Sequence, residues 1–237
     1  ENTLLYVIPH SALQTLFKAF PSCAEHFASQ AQVRLKSALD VVWSNKEKGL
    51  FIRKVEEVGA DLGVAFDGDG DRIGVVTNTG KIIWPDRLLM MFAKDVVSRN
   101  PGADIIYDVK CSLNLPLMIA RLGGQGDMWR CGHSLIKNRM RQTQALFGGE
   151  FSGHLFFAEQ WYGFDDGLYA AVRLLELLSN SDKTADQLFS QFQPLPSTPM
   201  INIAISDDDK FRIIEQFSQL DFFPARVCHV DGLRVEY

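Results

Sequence analysis

The residues best suited to chemistry form one acidic run, Asp67-Gly68-Asp69-Gly70-Asp71-Arg72. Its three carboxylates, on Asp67, Asp69 and Asp71, stand at alternate positions, and the glycines between them can adopt positive φ, so a tight loop can turn several oxygens onto one hard cation. Mg²⁺ suits such a site, and Arg72 can pair with a phosphate beside it. An EF-hand is excluded, because its sixth and twelfth loop positions are Arg72 and Asn78. A hairpin turn with solvated acids is the alternative.

A second polar run is Gly148-Gly149-Glu150-Phe151-Ser152-Gly153-His154. It places a carboxylate, a hydroxyl and an imidazole, on Glu150, Ser152 and His154, in one glycine-rich turn, and such groups hydrogen-bond neighbouring sugar hydroxyls. The run is not the nucleophile elbow of a serine hydrolase, because Glu150 and His154 stand where that motif needs glycines. A purely structural turn is the alternative.

Two cationic side chains follow predicted strands at their carboxyl ends, where α/β sheets bind ligands. Lys110 lies in Asp108-Val109-Lys110-Cys111-Ser112, and His133 in Arg130-Cys131-Gly132-His133-Ser134. His133 also precedes a predicted helix, whose N-terminal amides favour phosphate. We therefore expect both side chains to meet an anion, although either one alone could be an ordinary surface or core residue.

The elements that must position these groups alternate along the chain, which indicates an α/β fold with mixed or mostly parallel sheets and flanking helices. The acidic run lies between predicted strands, and the glycine-rich run lies between two more. The expected strands are Leu62–Phe66, Ile73–Thr77, Lys81–Trp84, Asp104–Val109, Met128–Arg130, Ala145–Gly149 and Leu155–Ala158, and the expected helices run from Pro85 to about Asn100, Leu115–Leu122, Ser134–Gln142 and Asp165–Leu178, the last one begun by an Asp-Asp cap.

The pattern divides the chain into three parts: residues 1–82 with the acidic loop, residues 83–193 as an α/β domain, and residues 194–237 as a linker and a further unit. Three prolines between Gln193 and Pro199 disfavour helix there. Beyond them, a strand over Met200–Ile205, a helix over Asp208–Leu220 and two short strands are too few to bury a sheet, so we expect a longer protein. Residues 1–50 suggest two helices, near residues 13–20 and 33–42, without a chemical motif.

Composition narrows the class of partner. The 237 residues are 46% hydrophobic and 22% charged, with a formal net charge of −5 and no basic block, so we expect small-molecule partners rather than nucleic acid. No apolar run approaches the ~20 residues of a membrane span, and the N-terminus has no secretion pattern, so we expect no membrane partner and a cytoplasmic location. The four cysteines form no C-x-x-C pair, which favours reduced thiols. The oligomeric state is left open.

From about Gly59 to Gly232 the sequence resembles the α-D-phosphohexomutases, most closely the bifunctional bacterial members of that family that act on mannose and glucose phosphates. The stretches that carry the resemblance are ADLGVAFDGDGDR, PDRLLMMFAKDVVSRNPGADIIYDVKCS, GHSLIKNRM, GGEFSGH and WYGFDDG. Several ordered motifs agree over about three quarters of the chain, so the resemblance is specific.

The resemblance implies a four-domain isomerase of carbohydrate metabolism, itself a phosphoprotein, that interconverts hexose 1-phosphates and 6-phosphates through a bisphosphorylated sugar. It implies that Asp67, Asp69 and Asp71 hold Mg²⁺, that Arg72, Lys110 and His133 are the catalytic cations, and that Glu150, Ser152 and His154 bind the substrate. The family's T-x-S-H-N-P and R-A-S-N-T-x-P loops do not occur in this sequence, so we expect negligible mutase activity from this chain alone. A non-catalytic sugar-phosphate-binding fragment and an Mg²⁺-dependent phosphatase are the alternative functions.

Overall fold

The computed structural model of the chain describes residues 6–7, 45–193, 195 and 207–236. The two helices suggested before residue 45, most of the proline-rich linker and the strand over 200–205 lie outside the described residues. The strands are β1 (Tyr6–Val7), β2 (Leu62–Phe66), β3 (Ile73–Thr77), β4 (Ile82–Ile83), β5 (Asp104–Asp108), β6 (Gln125–Trp129), β7 (Phe147–Gly149), β8 (Leu155–Phe157), β9 (Arg226–Cys228) and β10 (Arg234–Glu236). The helices are α1 (Asn45–Glu57), α2 (Pro85–Arg99), α3 (Asn114–Arg121), α4 (His133–Thr143), α5 (Gly167–Ser179), α6 (Ala185–Phe189) and α7 (Asp207–Ser218).

The first sheet has the order β1-β2-β3-β4 and is antiparallel throughout. The loops that join β2 to β3 and β3 to β4 are too short for the helical crossover that parallel strands need. Helix α1 covers one face of this sheet with Phe51 and Val55, which pack with Ala65 and Val76. This helix was not predicted, although the four-residue spacing of Phe51 and Val55 is helical and Gly59 stands just beyond its end.

The second sheet has the order β6-β5-β7-β8 and contains the parallel pairs expected of an α/β domain. Strand β5 is parallel to both β6 and β7, and β8 returns antiparallel to β7. Strand β6 begins at Gln125, three residues before the predicted start at Met128. It is an edge strand whose first residues are exposed, so no run of apolar side chains marked its beginning.

Both faces of the second sheet are covered. Helix α4 packs Ile136 and Met140 against Ile106 and Phe156 on one face. The other face meets α2, α3 and α5 in a larger core, in which the ring of Phe92 lies edge-on to that of Phe157 at 5.1 Å between centroids. Buried side chains of β2 and β3 join the same core. The two sheets are therefore held in fixed relation, and so are the loops that each carries.

Helix α5 begins at an N-cap, as the sequence indicated. The side chain of Asp166 accepts a hydrogen bond of 2.9 Å from the backbone N–H of Tyr169. Its neighbour Asp165, predicted to share the cap, instead faces His133, Lys137 and His154. None of the described helices is both long and apolar enough to cross a membrane.

Candidate functional site

The acidic loop is the connection between β2 and β3, closed by the pair Phe66 and Ile73. A ligand oxygen from each of Asp67, Asp69 and Asp71 lies within 4.8 Å of the other two. Gly70 takes φ of 75°, a conformation that favours glycine and lets the loop reverse between the last two carboxylates. The three acids thus converge in one small volume, as the spacing predicted.

Arg72 closes this loop by binding the first acid. Its backbone N–H donates to Asp67 Oδ1 at 3.1 Å and its Nε donates to Asp67 Oδ2 at 2.5 Å. The Asp67 side chain is fully buried, so this charge-assisted pair compensates its desolvation. Arg72 Nε also lies 3.7 Å from Asp71 Oδ1, which places the guanidinium beside the acidic cluster.

The carboxylate of Asp71 has two properties that suit it to bind a cation: a raised pKa and a buried oxygen without a hydrogen-bond donor among the described residues. Burial is the largest influence on its pKa and raises it to about 6; His154 lowers it, and the negative charge of Asp67 raises it by a lesser amount. Its Oδ1 is buried and accepts no hydrogen bond from the described residues. A buried carboxylate oxygen without a donor is costly unless a cation or ligand satisfies it. The donor set therefore fits a small, hard divalent cation.

The glycine-rich loop connects β7 to β8. It is closed by a hydrogen bond of 2.9 Å from Glu150 N–H to the carbonyl of His154, and by one of 3.0 Å from Gly153 N–H to the carbonyl of Glu150. The Glu150 side chain is buried, and its Oε1 accepts a 2.5 Å hydrogen bond from the backbone N–H of Gly132. The loop is thus tied to the turn that precedes α4. Ser152 Oγ is buried and has no hydrogen-bond partner among the described residues.

Asp165 links the two histidines, and sequence reasoning missed it as a site residue. Its Oδ2 lies 3.2 Å from His154 Nδ1 and 3.3 Å from His133 Nδ1, while its Oδ1 accepts a 2.7 Å hydrogen bond from Lys137. Burial would raise the pKa of Asp165, but the hydrogen bonds from His154 and Lys137 outweigh burial and lower it. The carboxylate is therefore ionised near neutral pH and orients the histidines.

His154 stands between the two loops. Its Nδ1 is 3.5 Å from Asp71 Oδ2, and its ring lies 5.5 Å from that of His133. Burial lowers the pKa of His154, but the carboxylates of Asp165 and Asp71 outweigh burial and raise it. The nearby carboxylates thus stabilise the charged form of this ring relative to that of a free imidazole.

Asp108 is a second buried carboxylate, at the end of β5, that the sequence did not single out. Its Oδ1 accepts hydrogen bonds of 3.0 Å from Phe151 N–H and 3.0 Å from Cys111 Sγ, and its Oδ2 accepts one of 3.2 Å from Cys131 Sγ. Lys110 Nζ lies 3.5 Å from the same Oδ2. Asp108 therefore connects the Lys110 turn to the glycine-rich loop. Burial is the largest influence on the pKa of Lys110 and lowers it, but Asp108 and the other acidic groups around the lysine together raise that pKa.

The acidic loop and the glycine-rich loop meet directly. Arg72 and His154 form an antiparallel β-bridge between them. The N–H of Gly167, the first residue of α5, donates to the carbonyl of Gly70 at 3.0 Å. The nine predicted site residues thus lie on connected turns: the acidic loop meets His154, Asp165 joins His154 to His133, and Asp108 joins Lys110 to the glycine-rich loop. Lys110 reaches the acidic loop only indirectly through these described contacts.

Known proteins are similar to this chain over most of its length. Residues 84–195 match the family described as phosphoglucomutase/phosphomannomutase, alpha/beta/alpha domain III. A phosphomannomutase/phosphoglucomutase from Pseudomonas putida is 57% identical over 187 residues, which are 78% of this chain and 40% of that protein. Residues 84–195 belong to domain III of the phosphoglucomutase/phosphomannomutase family. The comparisons thus confirm the resemblance that the motifs carried.

Further family relatives extend the match to other genera and to a solved structure. A phosphoglucomutase from Neisseria meningitidis is 47% identical over 81% of this chain and 43% of its own length. A solved phosphoglucomutase/phosphomannomutase family protein from Burkholderia thailandensis superposes with a TM-score of 0.73 at 47% identity, covering 78% of this chain and 40% of that one. The chain thus spans well under half of the length of these relatives.

Proposed function

We propose that this chain provides the cation-binding and sugar-binding parts of a phosphohexomutase that interconverts the 1-phosphate and 6-phosphate of mannose or glucose through a bisphosphorylated sugar. One observation carries the proposal: the Arg72 to His154 bridge joins a loop suited to a divalent cation to a loop suited to sugar hydroxyls. The names of the relatives support the substrate class, since they include both phosphomannomutase and phosphoglucomutase.

In this proposal Asp67, Asp69 and Asp71 hold Mg²⁺, which fits their convergence and the unsatisfied Asp71 Oδ1. The cation, when bound, supplies positive charge that stabilises a transferring phosphoryl group. Arg72 places its guanidinium beside the same acidic loop. Since its Nε is held by Asp67, it is fixed within reach of an anion that approaches the loop.

The sugar is bound by the glycine-rich loop. The backbone N–H of Gly132 donates a hydrogen bond to one oxygen of the Glu150 carboxylate and so fixes the side chain. The other carboxylate oxygen can then accept a hydrogen bond from a sugar hydroxyl. A second hydroxyl would satisfy the buried Ser152 Oγ. His154, held by Asp165, places its imidazole ring beside them.

The distal phosphate is bound by Lys110 and His133. His133 stands at the N-terminus of α4 with its side chain 53% exposed, so it is accessible to a ligand. Lys110 is oriented by Asp108 yet remains 39% exposed. A sugar with a phosphate at each end can therefore span from the acidic loop to the ends of β5 and β6.

Cation binding is tested by the melting temperature of the purified chain with and without Mg²⁺. We expect Mg²⁺ to raise it, because a ligand that binds only the folded state stabilises that state. Asp69→Ala should abolish the rise. Asp69 is exposed, so its removal should leave the fold intact, and Asp182→Ala removes another exposed acid as a matched control that keeps the rise. An equal rise in both variants would contradict the metal assignment.

Substrate binding and turnover separate the mutase from its alternatives. We expect the chain to bind glucose 1-phosphate in the presence of Mg²⁺ but not to isomerise it, because the serine loop that donates the phosphoryl group in the family is absent from these residues. Robust formation of glucose 6-phosphate by the chain alone would refute this expectation. Release of inorganic phosphate without isomerisation would favour a phosphatase instead.

A further inference from the structure

The hairpin formed by β9 and β10 packs against the turn that carries Lys110. One nitrogen of Arg234, Nη1, donates hydrogen bonds to the backbone carbonyls of Val109 and Cys111, the second at 3.0 Å. These two carbonyls belong to the residues on either side of Lys110 in sequence. A single guanidinium thus binds the backbone both before and after the lysine.

Arg234 is itself held in place. Its Nε donates to Glu236 Oε1 at 2.7 Å, and only 18% of its side chain is exposed. A largely buried guanidinium with a charged partner has little rotational freedom. The restraint on the Lys110 turn therefore comes from a fixed group and not from a mobile surface arginine.

The same hairpin contacts the turn that carries His133. Asp231 Oδ2 accepts a 2.9 Å hydrogen bond from the backbone N–H of Cys131, two residues before the histidine. Arg130 Nε donates to the carbonyl of Val230 at 3.0 Å, which ties the same turn to the hairpin a second time. Both turns lie at the carboxyl ends of the parallel strands β5 and β6.

We propose that Arg234 and Asp231 are positioning residues that hold the Lys110 and His133 turns in the geometry that binds the sugar phosphate. The proposal rests on the proposed function, since it assumes that these two turns bind the phosphate group of the sugar. Turns that are ordered before binding lose less conformational entropy when the ligand arrives, so the two residues raise affinity without touching the ligand.

The first test compares Arg234→Ala with wild-type chain by calorimetric titration of glucose 1-phosphate at saturating Mg²⁺. Loss of two charge-assisted hydrogen bonds should weaken binding about tenfold. Adding a few millimolar guanidinium chloride should restore much of the affinity of Arg234→Ala, whereas sodium chloride at equal ionic strength should not. Arg226→Ala removes an exposed arginine of the same hairpin and should bind like wild type.

The second test uses Asp231, in case Arg234→Ala fails to fold. Asp231→Ala should weaken glucose 1-phosphate binding, whereas Asp231→Asn keeps an oxygen that can accept from Cys131 N–H and should retain most of the affinity. Hydrogen exchange of the amides in residues 109–112 and 131–133 should be faster in each alanine variant than in wild type.

The outcomes distinguish this inference from the proposed function. A wild-type chain without affinity for glucose 1-phosphate overturns the proposed function and removes the basis of this inference. If wild type binds, and Arg234→Ala and Asp231→Ala bind equally well with unchanged amide exchange, the positioning role is overturned while the proposed function stands. Weaker binding that guanidinium and Asp231→Asn rescue supports it.

Discussion

The contact between Gly167 and the acidic loop gives the most direct test of how the fold positions the proposed cation site. Gly167 begins α5, and its N–H donates to the carbonyl of Gly70 at 3.0 Å. A β-carbon built on Gly167 would lie 2.7 Å from the carbonyl oxygens of both Gly70 and Arg72. Because both obstacles are backbone atoms, Gly167→Ala can be accommodated only if α5 and the acidic loop move apart.

The cost of Gly167→Ala follows from three opposing effects. Overpacking a close contact costs about 1–3 kcal/mol, and loss of the hydrogen bond to Gly70 costs about 1 kcal/mol. The better helix propensity of alanine offsets about 0.5–1 kcal/mol. We therefore expect the free energy of unfolding to fall by about 1–3.5 kcal/mol, with weaker Mg²⁺ binding because displacement of the loop backbone moves the carboxylates that it carries.

Urea denaturation and calorimetric titration of Mg²⁺ measure the two effects of Gly167→Ala. Gly49→Ala is the matched control, since Gly49 lies inside α1 and its added β-carbon would be 3.5 Å from the flexible end of Arg53. This variant should be equal to wild type or more stable by about 0.5–1 kcal/mol, with unchanged Mg²⁺ affinity. If Gly167→Ala matched wild type in both measurements, the close packing of α5 on the acidic loop would not be what positions the cation site.

Three further predictions concern charge. Burial is the main cause that raises the pKa of Asp71 to about 6. Protons should therefore compete with the cation, and the Mg²⁺ affinity measured by calorimetry should fall about tenfold per pH unit below pH 6. An Mg²⁺ affinity that does not change with pH would contradict this. Burial raises the pKa of Asp165, but hydrogen bonds from His154 and Lys137 outweigh burial and lower that pKa. The stability that the ionised carboxylate contributes is therefore present above about pH 4 and lost in acid. Asp165→Asn should lower the free energy of unfolding by about 1–3 kcal/mol at pH 7, and the variant and wild type should converge at low pH. Lys81→Ala breaks an exposed ion pair to α6 and should change unfolding free energy by less than about 1 kcal/mol, whereas a larger loss in urea denaturation would show that the first sheet depends on this contact.

Most strands and helices between residues 62 and 178 could be predicted because their signals are local. The apolar run of β5, the turn residues around the acidic loop and the proline at the start of α2 act within a few residues of themselves. The exposed start of β6 could not be predicted, because an edge strand is defined by hydrogen bonds to its neighbour rather than by burial. Helix α1 was not predicted because only two of its described side chains, Phe51 and Val55, are buried apolar groups, and the charged residues around them make its apolar stripe weak.

Local sequence accounts for the groups that the two loops carry: alternating carboxylates and glycines bend into a compact acidic loop, and a glycine-rich turn carries Glu150, Ser152 and His154. The packing of separate elements, in contrast, makes Asp108 and Asp165 the carboxylates that join these turns. In the sequence, Asp165 looks like part of a helix cap and Asp108 like the end of a strand. Asp108 accepts a hydrogen bond from the backbone of Phe151, 43 residues away, and Asp165 pairs with His154, 11 residues away. Packing between elements brings these residues together, and no local sequence pattern encodes that packing.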